Sequence, residues 1–234
     1  MRVPPYSVLP ALSKIALDDI KLRKTDIPVK KIYICQHELA PEVEKAVCEL
    51  LINKLGAAGR YCDLDLICMS IAEDICVHCD DYLAYANMAV PSGWDPAKAI
   101  GMSFYDLHKE IPSFPLKSSK KLLATSIYKG PFYRTVDSLI FSDNIDHHPL
   151  LTQAKFDKAR PYINLKREHQ YIIGLPQAKS LLFILRQELV PLAQLDRESV
   201  IAHIESMSEE SLRYKGLAAH KEDLLSFLKE FTPE

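Results

Sequence analysis

Glycine is scarce in this chain: 7 of its 234 residues, about 3% against a usual ~7%. Gly56, Gly59, Gly93, Gly101, Gly130, Gly174 and Gly216 nowhere spell G-x-G-x-x-G or G-x-x-x-x-G-K-[ST]. A Rossmann dinucleotide site and a P-loop are therefore excluded, because both need glycine where the backbone approaches phosphate. Charge of one sign is also missing. With 29 Lys+Arg against 31 Asp+Glu, the net charge is −2, so overall charge cannot hold the protein on nucleic acid or on an anionic membrane. No apolar run is long: Leu181 to Leu185 falls far short of the ~20 residues that span a bilayer. Pro4, Pro5 and Pro10, followed by Lys14, Asp18 and Asp19, interrupt any signal-peptide core. A soluble, cytoplasmic protein is expected, with neither nucleic acid nor membrane as partner.

The six cysteines, at 35, 48, 62, 68, 76 and 79, suit that compartment as reduced thiols. Cys76-Val77-His78-Cys79 is the one cluster with metal-like spacing. Cys62 and Cys68 are too widely spaced to complete a zinc knuckle with it. Alternation would put Ile75, Val77 and Cys79 on one face of a strand, which makes buried thiols the simpler reading.

What is present is a mixed pattern. Val43, Ala46, Val47, Leu50, Leu51 and Leu55 recur at helical spacing between Pro41 and Gly56, a position suited to a helix-ending glycine. From Tyr61 to Val90 short runs of strand composition (Leu64 to Met69, Ile75 to Cys79, Tyr82 to Val90) predict an antiparallel meander with a turn at Asp80-Asp81. Pro91 to Pro96 reads as a loop, with a helical turn beginning near Ser103. Further strands are predicted at Tyr133 to Ser142, Ile163 to Ile173 and Lys179 to Leu189, and a connecting helix at Pro149 to Lys158. After Pro191 the pattern is helical, with Asp196 and Ser208 as N-caps and a stripe of Leu224, Leu225, Leu228 and Phe231. The class is α+β: an antiparallel sheet flanked by helices, ending in a helical C-terminal tail.

Three segments concentrate reactive side chains. One runs from Met88 through Pro91-Ser92-Gly93-Trp94 to Leu107-His108-Lys109-Glu110-Ile111-Pro112 and contains the single tryptophan. In the second, Asn164 to Gln170, alternation puts Lys166, Glu168 and Gln170 on one strand face and Arg167, His169 and Tyr171 on the other. Such charges inside an apolar segment need partners. The third is Asp143-Asn144-Ile145-Asp146-His147-His148-Pro149, whose adjacent histidines point in opposite directions on an extended chain and make a poor chelating pair.

Ala72-Glu73-Asp74-Ile75, Pro91-Ser92-Gly93-Trp94 to Gly101, Leu107 to Pro112, and Glu168-His169-Gln170 with Leu175-Pro176 resemble, in order and spacing, the haem-dependent oxidative N-demethylase family over roughly residues 70 to 190. The resemblance implies a PAS-like haem-binding domain over residues 1–190, with an N-terminal helical segment, and a helical extension over 191–234 packed on it. It implies haem b, His108 as the proximal iron ligand, and Glu168 as the catalytic carboxylate that accepts the other ring proton of His108. Trp94 and Lys166 are the further cofactor-binding residues. The implied activity is haem-dependent monooxygenation, with O₂ oxidising an N-methyl group of a small secondary amine and releasing formaldehyde. Electrons would come from a separate flavin or iron-sulfur reductase. Lys166 and His169 stand where the family carries arginines, Ala99 where it carries a lysine, and Val136-Asp137 where an Asn-Trp pair is expected. These departures keep two other readings open: a PAS-like haem-binding sensor or carrier without turnover, and an interaction module that binds no haem.

Overall fold

The computed structural model describes residues 12–23, 33–36, 39–55 and 63–230. Gly56, Cys62 and Phe231, which entered the sequence reading, lie outside them. Seven strands form one sheet: β1 (Ser13–Lys14), β2 (Tyr33–Gln36), β3 (Asp74–Cys79), β4 (Tyr82–Met88), β5 (Phe132–Ile140), β6 (Asn164–Leu175) and β7 (Ser180–Pro191). Their spatial order is β1-β5-β6-β7-β3-β4-β2, and every neighbouring pair is antiparallel. Around the sheet stand α1 (Pro41–Leu55), α2 (Leu64–Met69), α3 (Pro96–Ala99), α4 (Phe104–His108), α5 (Ser119–Lys129), α6 (Arg197–Ser206), α7 (Glu209–Tyr214) and α8 (Lys221–Glu230). The fold is α+β, as the sequence predicts. None of the described helices is long and apolar enough to cross a membrane.

Alternation decides what covers each face. Ile75, Val77 and Cys79 of β3 join Leu182 and Ile184 of β7 beneath Val43, Val47 and Leu51 of α1 and Ile67 of α2. Further along that face, Leu139 and Leu165 pack with Val200, Ile204, Leu212, Leu224 and Leu228 of the three C-terminal helices. The opposite face carries Cys76, Leu83 and Leu185 with Ala99, Trp94 and Leu107, and Ile172 and Leu181 with Phe104, Leu123 and Ile127. Helix α5 lies so close to β6 that a Cβ on Gly174 would stand 1.9 Å from the carbonyl oxygen of Ile127.

Two predicted elements are different. Leu64 to Met69 is helix α2, not a strand: the Asp63 side chain accepts the Leu66 N–H at 3.0 Å, and this N-cap starts a helix in a run too short for periodicity to discriminate. The meander is thus a β3–β4 hairpin, turning at Asp80 with φ 49°, preceded by a helix. Pro149 to Lys158 is irregular. One turn forms, with the Leu151 N–H on the His148 carbonyl at 2.9 Å, but Leu150 is 79% exposed, and the segment has no apolar stripe to hold further turns against the sheet.

Candidate functional site

The second face of the sheet, under α4, the Pro91–Trp94 loop and the 141–155 segment, encloses a cavity of about 610 Å³. Trp94, His108, Lys166 and Glu168 all line it, so the four residues singled out in the sequence converge. The cavity is long. On β7, Leu181 is opposite His78 and Leu189 is opposite Lys166, eight residues or about 26 Å apart along the strand. Leu83, Leu107 and Phe183 accompany His78 and His108, while Ser138, Lys215 and Tyr214 accompany Lys166. The floor therefore passes from apolar to polar.

His108 ends α4, whose N-cap Ser103 accepts the Asp106 N–H at 3.0 Å. Its Nδ1 lies 2.7 Å from the carbonyl oxygen of Phe104. A carbonyl only accepts, so Nδ1 carries the proton and Nε2 keeps its lone pair. The ring is held between Phe104 and Phe114, at centroid distances of 4.2 and 4.6 Å. Burial pulls its pKa down to about 4, against an opposing contribution from the Phe104 carbonyl. His78 is displaced further, to about 3, by burial and then by the neighbouring His108. Both imidazoles are neutral at pH 7.

The expected hydrogen bond between His108 and Glu168 is not made. Glu168 accepts the Ser92 hydroxyl at 2.9 Å and closely engages the amides of Gln170 and Gln187. The Arg134 guanidinium reaches the same group indirectly, donating to Oε1 of Gln170 at 2.5 Å. The backbone carbonyl won because it stands one helical turn behind His108, whereas Glu168 lies on β6 and already has three donors.

Lys166 is buried, and its ammonium donates to the Ile145 carbonyl at 2.6 Å. Lys215 donates to the Asp137 carbonyl at 3.0 Å and to the Ser138 hydroxyl at 2.8 Å. Burial pulls both lysines down to about 8, with Glu168 acting in the opposite direction. Burial likewise lowers Arg134 to about 10, again against the pull of Glu168. Among the described residues Glu168 is the one carboxylate in the cavity wall, facing Arg134, Lys166 and Lys215. Its own partners cannot balance them.

A family model for haem-dependent oxidative N-demethylase, alpha subunit-like proteins matches residues 49–225. The chain belongs to this family. The match covers Trp94, His108, Lys166 and Glu168, and extends past the stretch where the sequence resemblance was read, into the C-terminal helices that bring Tyr214 and Lys215 to the cavity of this N-demethylase-like chain. No curated protein matches it.

Arg134 and Lys215 were not singled out from the sequence. The alternation applied to β6 would have found Arg134 on its partner strand, since Arg134 pairs with Gln170 and Ser138 with Lys166. Lys215 follows a short helix and carries no such mark. The two adjacent histidines do diverge. His147 lines the cavity, held by the Ser92–His147 bridge, while His148 stacks on Tyr33 at 4.4 Å with its Nε2 3.4 Å from Asp95.

Proposed function

We propose that the cavity holds haem b, which Nε2 of His108 would bind through its iron, and that the protein is a monooxygenase that oxidatively demethylates a small secondary amine. The observation that carries this is the combination of neutral imidazoles in the cavity wall, among them His108 with its proton fixed on Nδ1 by the Phe104 carbonyl and His147 with an unpartnered Nε2, and a surplus of withdrawn cations over carboxylates in the same cavity. The residues fit the group. Among the described residues no three of His, Cys, Asp and Glu come together as a metal-binding group, so a metal here would bring most of its own ligands, as haem does. Arg134, Lys166 and Lys215 suit the two propionates, and Leu107, Phe183 and Trp94 suit the macrocycle. The PAS-like reading is supported by the five central strands, which run second, first, fifth, fourth, third in their own chain order. In this reading residues 1–190 form the haem-binding body, and 191–234 form an extension that borders the polar end of its cavity. The cytoplasmic assignment rests on the sequence.

Bound haem supplies the activation of O₂ and the acceptance of electrons one at a time. The Phe104 carbonyl fixes the tautomer of His108 and raises its basicity as a ligand. Phe104 and Phe114 hold the ring in place, and Glu168 holds Ser92, Gln170 and, through it, Arg134 in one array. In the net reaction one atom of O₂ enters a C–H bond of the N-methyl group and the product collapses to formaldehyde and demethylated amine. The other atom leaves as water with two electrons and two protons. The chain has neither a nucleotide loop nor a ferredoxin cysteine pattern, so the electrons come from a separate flavin or iron-sulfur reductase.

The test is a visible spectrum after expression with a haem supply, followed by formaldehyde release from dimethylamine with an artificial reductant. A Soret band lost or shifted in His108→Ala, together with product, is the expected result. A band without product across small amines would favour the sensor or carrier, and no band would leave the interaction module.

A further inference from the structure

The sheet face opposite the cavity carries a hydrogen-bonded array that the demethylation reading does not use. Tyr133 of β5 places its hydroxyl 2.6 Å from Nδ1 of His169 on β6, and Nε2 of His169 stands 3.3 Å from Oε1 of Glu188 on β7. A carboxylate beside Nε2 selects the tautomer protonated there. Nδ1 is then a lone pair, and the tyrosine donates to it. The Tyr133 ring lies 5.1 Å from that of Tyr171, and the Arg186 guanidinium lies 5.8 Å over Tyr171. Both members of the pair sit next to the cavity in sequence. Arg134 follows Tyr133, and Glu168 and Gln170 flank His169, all three in the cavity wall. One sheet layer, on the order of 10 Å, separates the phenol from the cavity.

A tyrosine is hard to oxidise if its proton has nowhere to go, because the phenol radical cation is a strong acid. An imidazole already accepting the hydroxyl removes that obstacle. We infer that Tyr133 is a redox-active tyrosine, oxidised through the sheet by a one-electron oxidant in the cavity, with His169 as the acceptor of its phenolic proton. The inference rests on the haem reading for its oxidant, a high-valent haem species formed with peroxide when no amine is bound. The oxidant gains one electron, the Tyr133 O–H bond breaks, an N–H bond forms on Nδ1 of His169, and the imidazolium faces Glu188. One electron from the reductase and the returning proton restore the phenol. The array would drain oxidising equivalents from the cavity when substrate is missing.

The test mixes haem-loaded protein with hydrogen peroxide in the absence of amine and records the electron paramagnetic resonance of rapidly frozen samples. A tyrosyl radical is expected in the wild type and is lost in Tyr133→Phe, which keeps the ring and its stacking. His169→Gln should slow radical formation about tenfold, the rate equivalent of one hydrogen bond's contribution to the barrier. No radical in haem-loaded wild type, a radical undiminished in Tyr133→Phe, or one located on Trp94 overturns the inference. If the protein takes up no haem, the haem reading fails but the pair can still be judged. Photogenerated ruthenium(III) tris-bipyridine should then oxidise Tyr133 of the haem-free protein about tenfold faster than in His169→Gln, and equal rates overturn it.

Discussion

Nδ1 of His108 donates to the carbonyl oxygen of Phe104 across 2.7 Å, a bond made within a single short helix. It fixes which ring nitrogen is left for a ligand without help from any other side chain. Glu168, the carboxylate expected in that role, is bound instead by Ser92, Gln170 and Gln187.

Glu168→Gln should therefore leave the bond between iron and histidine unchanged. Resonance Raman spectra of the ferrous haem-loaded protein would show the same iron–histidine stretching frequency in variant and wild type. Turnover should fall, because an amide in place of the carboxylate turns a donor toward the donors of Ser92, Gln170 and Gln187. A clear downward shift of the stretch would restore Glu168 as the partner of His108.

Acid should destabilise the fold well above the usual carboxylate range. His108 and His78 titrate near 4 and 3 in the folded chain, below their ordinary 6.5. Between those values and 6.5 the unfolded chain binds protons that the folded chain does not, so stability falls as pH falls through this window and is complete above it. Urea unfolding at pH 7.5 and pH 5 should differ by roughly 2 kcal/mol for each histidine. His78→Gln should remove its share of that difference.

The two cavity lysines should separate binding from stability. In Lys166→Met the haem-free protein is expected to melt at the same temperature or higher, because a buried cation held by one carbonyl costs desolvation that methionine does not. Haem affinity, followed by Soret titration, should drop about 10- to 100-fold if Lys166 bonds a propionate. Lys215→Met should lower both, since Lys215 also caps the Asp137 carbonyl on β5. An affinity unchanged in both variants would remove the lysines from the cofactor site.

Gly174→Ala tests the packing of α5 on β6. The added Cβ would meet backbone atoms of Ile127, its carbonyl oxygen at 1.9 Å, and no rotamer change can move them away. A loss of about 1–3 kcal/mol or more is expected in thermal or urea melts, with a wild-type melting temperature as the contrary result.

The long strands and the C-terminal helices were legible because their signals are local. Alternation along β6 placed Lys166, Glu168 and Gln170 in the cavity wall and Arg167, His169 and Tyr171 behind it. Asp196 and Ser208 accept the N–H groups of Ser199 and Ser211 and start α6 and α7 as read. The α2 segment was misread because Leu64, Leu66, Ile67 and Cys68 fit either period over so few residues, and only Asp63 marks the difference. In the site, residue types were legible and their pairings were not. Whether the ring proton of His108 goes to a carboxylate or to a carbonyl depends on distances between elements that the chain does not spell out. Lys215 was invisible for the same reason: its carbonyl and hydroxyl partners lie on β5, 77 and 78 residues earlier.

The exposed rim of the cavity comes from two distant stretches of chain, Gln153 to Lys155 and Tyr214 with Gly216. On the ribosome every strand of the sheet emerges before the second stretch, and domains can begin to fold while synthesis continues. The groove would then exist, with His108 and Glu168 in place, while the polar end still lacks one side. A bulky guest entering sideways at that stage would be held once α7 docks, so if the guest is the proposed haem, its supply relative to translation would govern how much protein is made with it.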